Sequence, residues 1–305
     1  MLEVIKPGVS STIQDLGRFN AAQYGLSQGG PADLHAFCWG NFLLGNPTNA
    51  AQIEITNGGF QALSHCEGFI AVTGAAVTLT INGVPLPTWS AHKVKIGDQL
   101  KLSHAKQGNF AYLAVSGGFD TPRYLDSRAT VSRNRAGGVN GDGASLNIGD
   151  KLRWDQVVTH IRPPLSRFQI PDYLAPLTLR LVPGYQFEDF APDAIKQLLH
   201  ELYYLSPKSN RMGYTLQGEP IATPQLGIIS EGIALGSVQV PPSGQPIILL
   251  NDRQSIGGYP KLGTICKIDL PRLAQYRFGQ PVRFSLISRQ MAAAKLLKFH
   301  QFFNL

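Results

Sequence analysis

The chain has few cysteines, few charges, no long apolar run and none of the short motifs that mark metal or nucleotide sites. Its three cysteines in 305 residues, Cys38, Cys66 and Cys266, are widely spaced and fall in no C-x-x-C pattern. They can form one disulfide at most, and buried free thiols are the expected state. No apolar run approaches the length of a membrane span. Met1-Leu2-Glu3-Val4-Ile5-Lys6-Pro7 lacks the apolar stretch of a secretion signal, so a cytoplasmic chain with no membrane partner is expected. The seven histidines (His35, His65, His92, His104, His160, His200 and His300) include no H-E-x-x-H and no paired spacing with cysteine, and no metal is expected. A G-x-x-x-x-G-K-[ST] loop, a G-x-G-x-x-G after a strand and a G-x-S-x-G elbow are all missing. No Ala-Met-Lys-Met-like segment offers a lysine for biotin, so no covalently bound biotin is expected here.

What is present points to β structure. Apolar residues make up 43% and charged residues 15%, the balance of a folded chain, and 32 glycines with 21 prolines imply many short elements joined by tight turns. The net charge of +7 is spread along the chain. Its densest group, Arg123, Arg128, Arg133 and Arg135, runs into Gly137, Gly138, Gly141 and Gly143. That segment is either a solvated loop or a mobile basic loop that attracts an anionic substrate. Tyr124 is the one aromatic residue among these arginines, so the repeated aromatics of a base-stacking surface are missing and nucleic acid is not an expected partner.

Three helices stand out. Asp33 can cap one carrying Leu34, Phe37 and Cys38, stopped by Gly45-Asn46-Pro47. Pro192-Asp193 opens a second, with Ile195, Leu198, Leu199 and Leu202 at helical spacing and Ser206-Pro207 as its end. Ser288 can cap a third, with Ala292, Leu296, Phe299 and Phe303 on one face. Most of the remainder alternates. Val77, Leu79 and Ile81 lead into Asn82-Gly83 and then Val84 and Leu86, a hairpin signal. Leu177, Leu179 and Leu181 form another half-buried strand, and Phe110 to Val115 a further one. Ile96-Gly97-Asp98 is echoed by Ile148-Gly149-Asp150 and more weakly by Phe278-Gly279-Gln280, each a tight turn feeding a strand. The expectation is an all-β dominated chain with a few helices, in two barrel-like halves: residues 1–162 and 177–305, joined by the Pro-rich stretch 163–176.

The candidate site lies between Ser206 and Gly263, where polar clusters interrupt the β pattern. Pro246-Ile247-Ile248-Leu249-Leu250 reads as a buried strand that delivers Asn251-Asp252-Arg253-Gln254 and then Gly257-Gly258. Arg211 and Arg253 suit a carboxylate or phosphate, which a guanidinium binds through two parallel hydrogen bonds. Glu231 and Asp252 are the candidate catalytic residues, able to accept protons or to orient an amide N–H. Asn210, Gln239, Asn251 and Gln254 donate and accept, as a urea or lactam substrate requires. Tyr214 and Tyr259 are placed as pocket lining. The alternative is that Arg211–Glu231 or Arg253–Asp252 are structural ion pairs closing turns. A second cluster, Gln14, Asp15 and Arg18, stands near the N-terminus, and Asp15 followed by Gly17 and Arg18 also fits a plain turn.

The motifs as a set resemble one family. They are Pro7-Gly8 with Thr12-Ile13-Gln14-Asp15-x-Gly17-Arg18, then Glu54-Ile55-Thr56, Tyr112 to Asp120, and Ser127-Arg128-x-Thr130. The most specific are Ser209-Asn210-Arg211-Met212-Gly213-Tyr214, Ser230-Glu231-Gly232, Gln239-Val240-Pro241 and Gly257-Gly258-Tyr259-Pro260. The chain resembles the family of the 5-oxoprolinase C subunit, KipA and the second-subunit region of allophanate hydrolase and urea carboxylase systems, known together as biotin-dependent carboxyltransferase family proteins. The resemblance implies two cyclophilin-like β-barrel domains in a heteromeric complex. It implies a KipI-like B subunit as partner, with ATP used to activate 5-oxo-L-proline and a separate A subunit completing ring opening to L-glutamate. The ATP site would be shared with, or located on, the partner, and the chain alone would be an inactive part of a hydrolase acting on a cyclic amide. The resemblance also admits a carboxyltransferase component acting on a urea-like acceptor with a biotin carrier, or a KipA-type regulatory binding protein for a KipI-like kinase inhibitor. Phe19-Asn20 and Gly141-Asp142 depart from the family pattern, where Gly and a basic residue are common.

Overall fold

The computed structural model describes residues 1–154 and 160–305. The chain is mostly β, with 33% strand and 17% helix, as its turn-rich composition implies. It divides into two units, one of Met1–Phe19, Gly29–Leu174 and Phe303–Leu305, the other of Asn20–Gln28 and Ala175–Phe302. The division after Leu174 falls inside the Pro-rich stretch 163–176. Asn20–Gln28 and Phe303–Leu305 each belong to the unit that the linear order does not assign them.

In the first unit a seven-stranded antiparallel sheet runs in the order Phe119–Asp120, Lys151–Trp154, Leu2–Pro7, Phe60–Ser64, Gln99–Leu102, Leu79–Ile81, Val84–Leu86. A five-stranded one runs Ser10–Gln14, Gln52–Thr56, Phe110–Val115, Gly68–Gly74, Ala91–Val94. Leu2, Val4, Phe60 and Leu100 from the first sheet share a core with Ile13, Ile53, Ile70 and Leu113 from the second. The other face of the five-stranded sheet is covered by the helix Leu34–Leu43, where Leu43 packs with Ala71 and Ala114. Covered on both faces, Phe110–Val115 is buried at all six positions, which is why its sequence is an unbroken apolar run. Asp33 caps the helix as expected, its side chain accepting from Ala36 N at 2.9 Å. Asn82 and Gly83 have φ of 52° and 81°, the two positive values a tight hairpin turn requires.

The second unit is a closed barrel. Its order is Leu177–Pro183, Lys261–Ile265, Ser237–Gln239, Ile247–Leu249, Gly213–Gln217, Tyr203–Leu205, Pro281–Leu286. The ring closes through a parallel pairing, Leu177–Pro183 with Pro281–Leu286, so the barrel leaves no sheet edge open. Leu179, Leu181, Leu216, Val238, Ile248, Val282 and Phe284 fill it. A separate two-stranded ribbon pairs Glu231–Gly232 with Ile256–Gly257. The helix opened by Pro192 ends at His200, before the expected stop at Ser206-Pro207. Tyr203–Leu205 leaves the helix because its backbone pairs with both Gly213–Gln217 and Pro281–Leu286 and carries Tyr203 and Leu205 into the core. Arg289–Phe303 forms the third expected helix, Ser288 Oγ accepting from Met291 N at 3.2 Å. A short helix, Leu270–Ala274, has too few residues to show a periodicity in the sequence. The turns at Gly97, Gly149 and Gly279 share one backbone geometry, with φ of 87°, 87° and 78°.

Candidate functional site

The polar residues flagged in the sequence fall into separate groups. Gln14, Asp15 and Arg18 lie in the first unit and are buried. Gln14 Nε2 donates to Thr130 O at 3.1 Å, and its Oε1 accepts from Gly30 N at 3.2 Å. The Asp15 carboxylate accepts from Gly17 N at 2.9 Å, Ser127 Oγ at 2.6 Å and Arg128 N at 2.6 Å. Arg18 donates to Tyr124 O at 3.0 Å and Ala129 O at 2.5 Å, with its guanidinium 5.9 Å from the Tyr124 ring centroid. These three side chains fasten the 124–130 segment. Arg128, in the basic loop, is tied to Asp120 at 2.7 Å.

In the second unit Arg211 and Asp252 take each other. Nε–Oδ2 and Nη2–Oδ1 are 2.9 and 3.0 Å, a bidentate pair, and Asp252 N donates to Arg211 O at 2.9 Å. Ser27 Oγ holds the same turn from Asn20–Gln28, donating to Arg253 O at 2.8 Å. Arg253 turns inward and donates to Ile233 O at 3.1 Å and Leu250 O at 3.2 Å, and burial lowers its pKa. Asn210 closes its own turn, Oδ1 accepting from Met212 N at 2.8 Å. Tyr214 is a core residue whose hydroxyl donates to Ala274 O at 3.1 Å. Both arginines therefore answer to protein acceptors, and the ion pair is neither of the two the sequence offered.

Glu231 is different. It sits on the ribbon and lines an open cleft of about 680 Å³ together with Tyr185, Gln186, Gln225, Gly227, Ile228 and Ile229. Lys261 Nζ bonds to one carboxylate oxygen and the Tyr185 hydroxyl to the other. Lys261, with Tyr185 second, holds the Glu231 carboxyl below its ordinary range, and the hydrogen bond to Glu231 raises Tyr185 in turn. The backbone of Lys261 is fixed as well, its N donating to Gln186 Oε1 at 3.0 Å. Gln239 stands opposite Lys261 in the barrel, 2% exposed, and its Nε2 has no hydrogen-bond partner. Gly257 closes over it. A Cβ there would stand 3.0 Å from Gln239 Nε2 and 3.5 Å from Gln254 Nε2, and would collide with Ile233 Cδ1. Tyr259 is exposed and Asn251 half-buried.

Of the residues nominated from sequence, Glu231, Gln239 and Gln254 thus share one neighbourhood, whereas Tyr185, Gln186 and Lys261 went unnoticed. Lys261 directly follows the Gly257-Gly258-Tyr259-Pro260 motif, and Tyr185 follows Pro183-Gly184 at a strand end, which are the only signals either gives. A carboxylate gripped by a lysine and a tyrosine is an ionised acceptor and a weak base. All three cysteines are buried and free, as expected. Among the described residues no cluster of His, Cys, Asp and Glu could hold a metal ion, and no helix is long and apolar enough to cross a membrane.

The described residues form a mostly-β chain with a closed seven-stranded barrel, a fold shared with a solved urea carboxylase, and sequence comparison gives the family. The chain belongs to the family described as carboxyltransferase domain, subdomain A and B, which matches residues 24–286. It is 37% identical to the 5-oxoprolinase C subunit of Haemophilus influenzae over 96% of this chain and 93% of that protein. It is 34% identical to the 5-oxoprolinase C subunit of Escherichia coli, with the same coverage. The crystal structure of Kluyveromyces lactis urea carboxylase superposes with a TM-score of 0.88 at 27% identity, covering 96% of this chain and 28% of that one.

Proposed function

We propose that this chain is the C subunit of an ATP-dependent 5-oxoprolinase, working with a KipI-like B subunit to activate 5-oxo-L-proline, with a separate A subunit completing ring opening to L-glutamate. The observation that carries the reading is the near end-to-end match to the 5-oxoprolinase C subunit, spanning 93% of the Haemophilus influenzae protein. The cleft supports it with chemistry. A lactam needs an acceptor for its N–H and a donor for its carbonyl, and Glu231 and the Gln186 amide line one space beside apolar Ile228 and Ile229. ATP, which supplies phosphoryl transfer to the amide, falls to a site shared with or located on the B subunit, since the sequence carries no phosphate loop.

The test is reconstitution. This chain, the KipI-like partner chain and their mixture are assayed for 5-oxo-L-proline-dependent ATP hydrolysis. Activity is expected in the mixture and not in this chain alone; robust turnover by the isolated chain counts against the reading. The second reading is carboxyl transfer to a urea-like acceptor, favoured by the TM-score of 0.88 to the urea carboxylase. It requires a biotin carrier, and urea-dependent consumption of carboxybiotin would select it.

A further inference from the structure

We propose that Glu231 is the specificity-determining acceptor for the N–H of a cis-amide substrate, held in place by Lys261 and Tyr185 as positioning residues, and is not the base that removes that proton. The inference rests on the 5-oxoprolinase reading for its preferred ligand, a lactam, but its geometry is that of any small cis-amide.

Three observations converge. The first is how the carboxylate is held. Lys261 Nζ and the Tyr185 hydroxyl take one oxygen each, from the barrel strand Lys261–Ile265 and from the loop after Leu177–Pro183. An ionised carboxylate has about four lone-pair sites, so each oxygen keeps one for a ligand. The Glu231 side chain is 32% exposed and faces the cleft it lines, while Lys261 behind it is 12% exposed. The carboxylate is thus the accessible end of an anchored pair.

The second is the company it keeps. Gln186 is 5% exposed and lines the same cleft, and its Oε1 is occupied by Lys261 N. That bond fixes the amide and leaves its NH2 as a donor. One acceptor and one donor are the complement of an amide whose N–H and C=O lie on the same edge. Lactams and ureas have that edge. A trans peptide sends the two groups to opposite sides and cannot engage both.

The third is the acid–base character of the carboxylate. Its two protein donors stabilise the charged form, which weakens it as a base and leaves hydrogen-bond acceptance as its remaining capacity. A site built to bond a ligand N–H rejects the analogue without it, because the acceptor is then left unmatched.

The experiment compares 5-oxo-L-proline with its 1-methyl analogue, which lacks only the N–H, and with urea. Binding of each to the full chain is measured by calorimetry. In the mixture with the KipI-like partner, the KM for 5-oxo-L-proline and the inhibition constant of the methyl analogue are measured. Wild type is expected to prefer the N–H ligand by at least about tenfold. Glu231→Leu should bring that preference close to one. Isosteric Glu231→Gln keeps an acceptor oxygen without the charge and should retain part of it, and serves if the leucine variant does not fold. Lys261→Met and Tyr185→Phe should lower the preference and raise KM with a smaller change in kcat.

The outcomes separate this inference from the functional reading. If the mixture turns over 5-oxo-L-proline and Glu231→Leu keeps the full preference, the inference is overturned and the 5-oxoprolinase reading stands. If the chain binds urea with the same dependence on Glu231 and ignores 5-oxo-L-proline, the acceptor role stands and the 5-oxoprolinase reading falls. If no probe binds or turns over, both fall.

Discussion

Removing the Arg211 guanidinium should unfold the second unit at a lower temperature and leave the chemistry of the folded fraction intact. The pair it forms with Asp252 is bidentate, at 2.9 and 3.0 Å, with side chains only 20% and 13% exposed. Arg211→Ala strands the Asp252 carboxylate against the 251–254 turn with no cation. Breaking a buried pair from one side costs about 3–5 kcal/mol, and the partial exposure here places the change near the lower end, about 3 kcal/mol. For a unit of this size each kcal/mol moves Tm by roughly 2–4 °C, so a fall of about 6–12 °C is expected. Asp252→Ala removes the same bidentate pair from the other side and should also lower Tm. The double variant should be less destabilised than the two single losses added together, by about 2 kcal/mol, because its second change removes no interaction that still exists. Thermal denaturation of the four proteins, with activity of the reconstituted mixture well below each Tm, is the assay. An unchanged Tm for Arg211→Ala with a loss of roughly a hundredfold in kcat/KM would refute this reasoning and return Arg211 to the substrate.

Further expectations concern the scaffold and pH. Gly74→Ala forces a side chain onto a φ of +87° and into the Phe110 carbonyl, so it should cost roughly 3 kcal/mol; Gly83→Ala, at φ +81° with open space around it, should cost about 1 kcal/mol. Urea denaturation of both variants checks the ratio, and equal losses would contradict the packing around Gly74. Asp33→Ala removes the helix cap and the acceptor of the Tyr173 hydroxyl, 3.2 Å away, for about 1–2 kcal/mol, while Asp33→Asn should recover most of it in thermal melts. Glu231 binds its proton less readily in the folded protein than in the unfolded chain, because Lys261 and Tyr185 stabilise its charge. Its contribution to stability is therefore present above the ordinary carboxylate range and is lost as pH falls through the depressed folded value. Lys261→Met should accordingly shrink the stability difference between about pH 7 and about pH 3. An unaltered difference would show that Lys261 does not hold the carboxylate in solution.

Much of this protein was written in short-range pattern. The alternation over Leu177 to Leu181, the Asn82-Gly83 turn, the Asp33 and Ser288 caps and the Pro192 start each depend on a handful of adjacent residues, and each reappears in the structure. Local propensity is enough for these because backbone geometry repeats every two residues in a strand and about every 3.6 in a helix. The partner of each charge was not legible in that way. Arg211 and Asp252 are 41 residues apart, Lys261 and Glu231 are 30, and Tyr185 and Glu231 are 46. Nothing in spacing ranks one opposite charge above another across such distances. The choice is made by strand pairing: Gly213–Gln217 against Ile247–Leu249 brings Arg211 to Asp252, and Glu231–Gly232 against Ile256–Gly257 brings Glu231 to the chain that leads into Lys261. That ribbon pairing sets Lys261 against Glu231, and so turns a residue that the sequence could only nominate as an acid or base into an anchored acceptor facing a cleft.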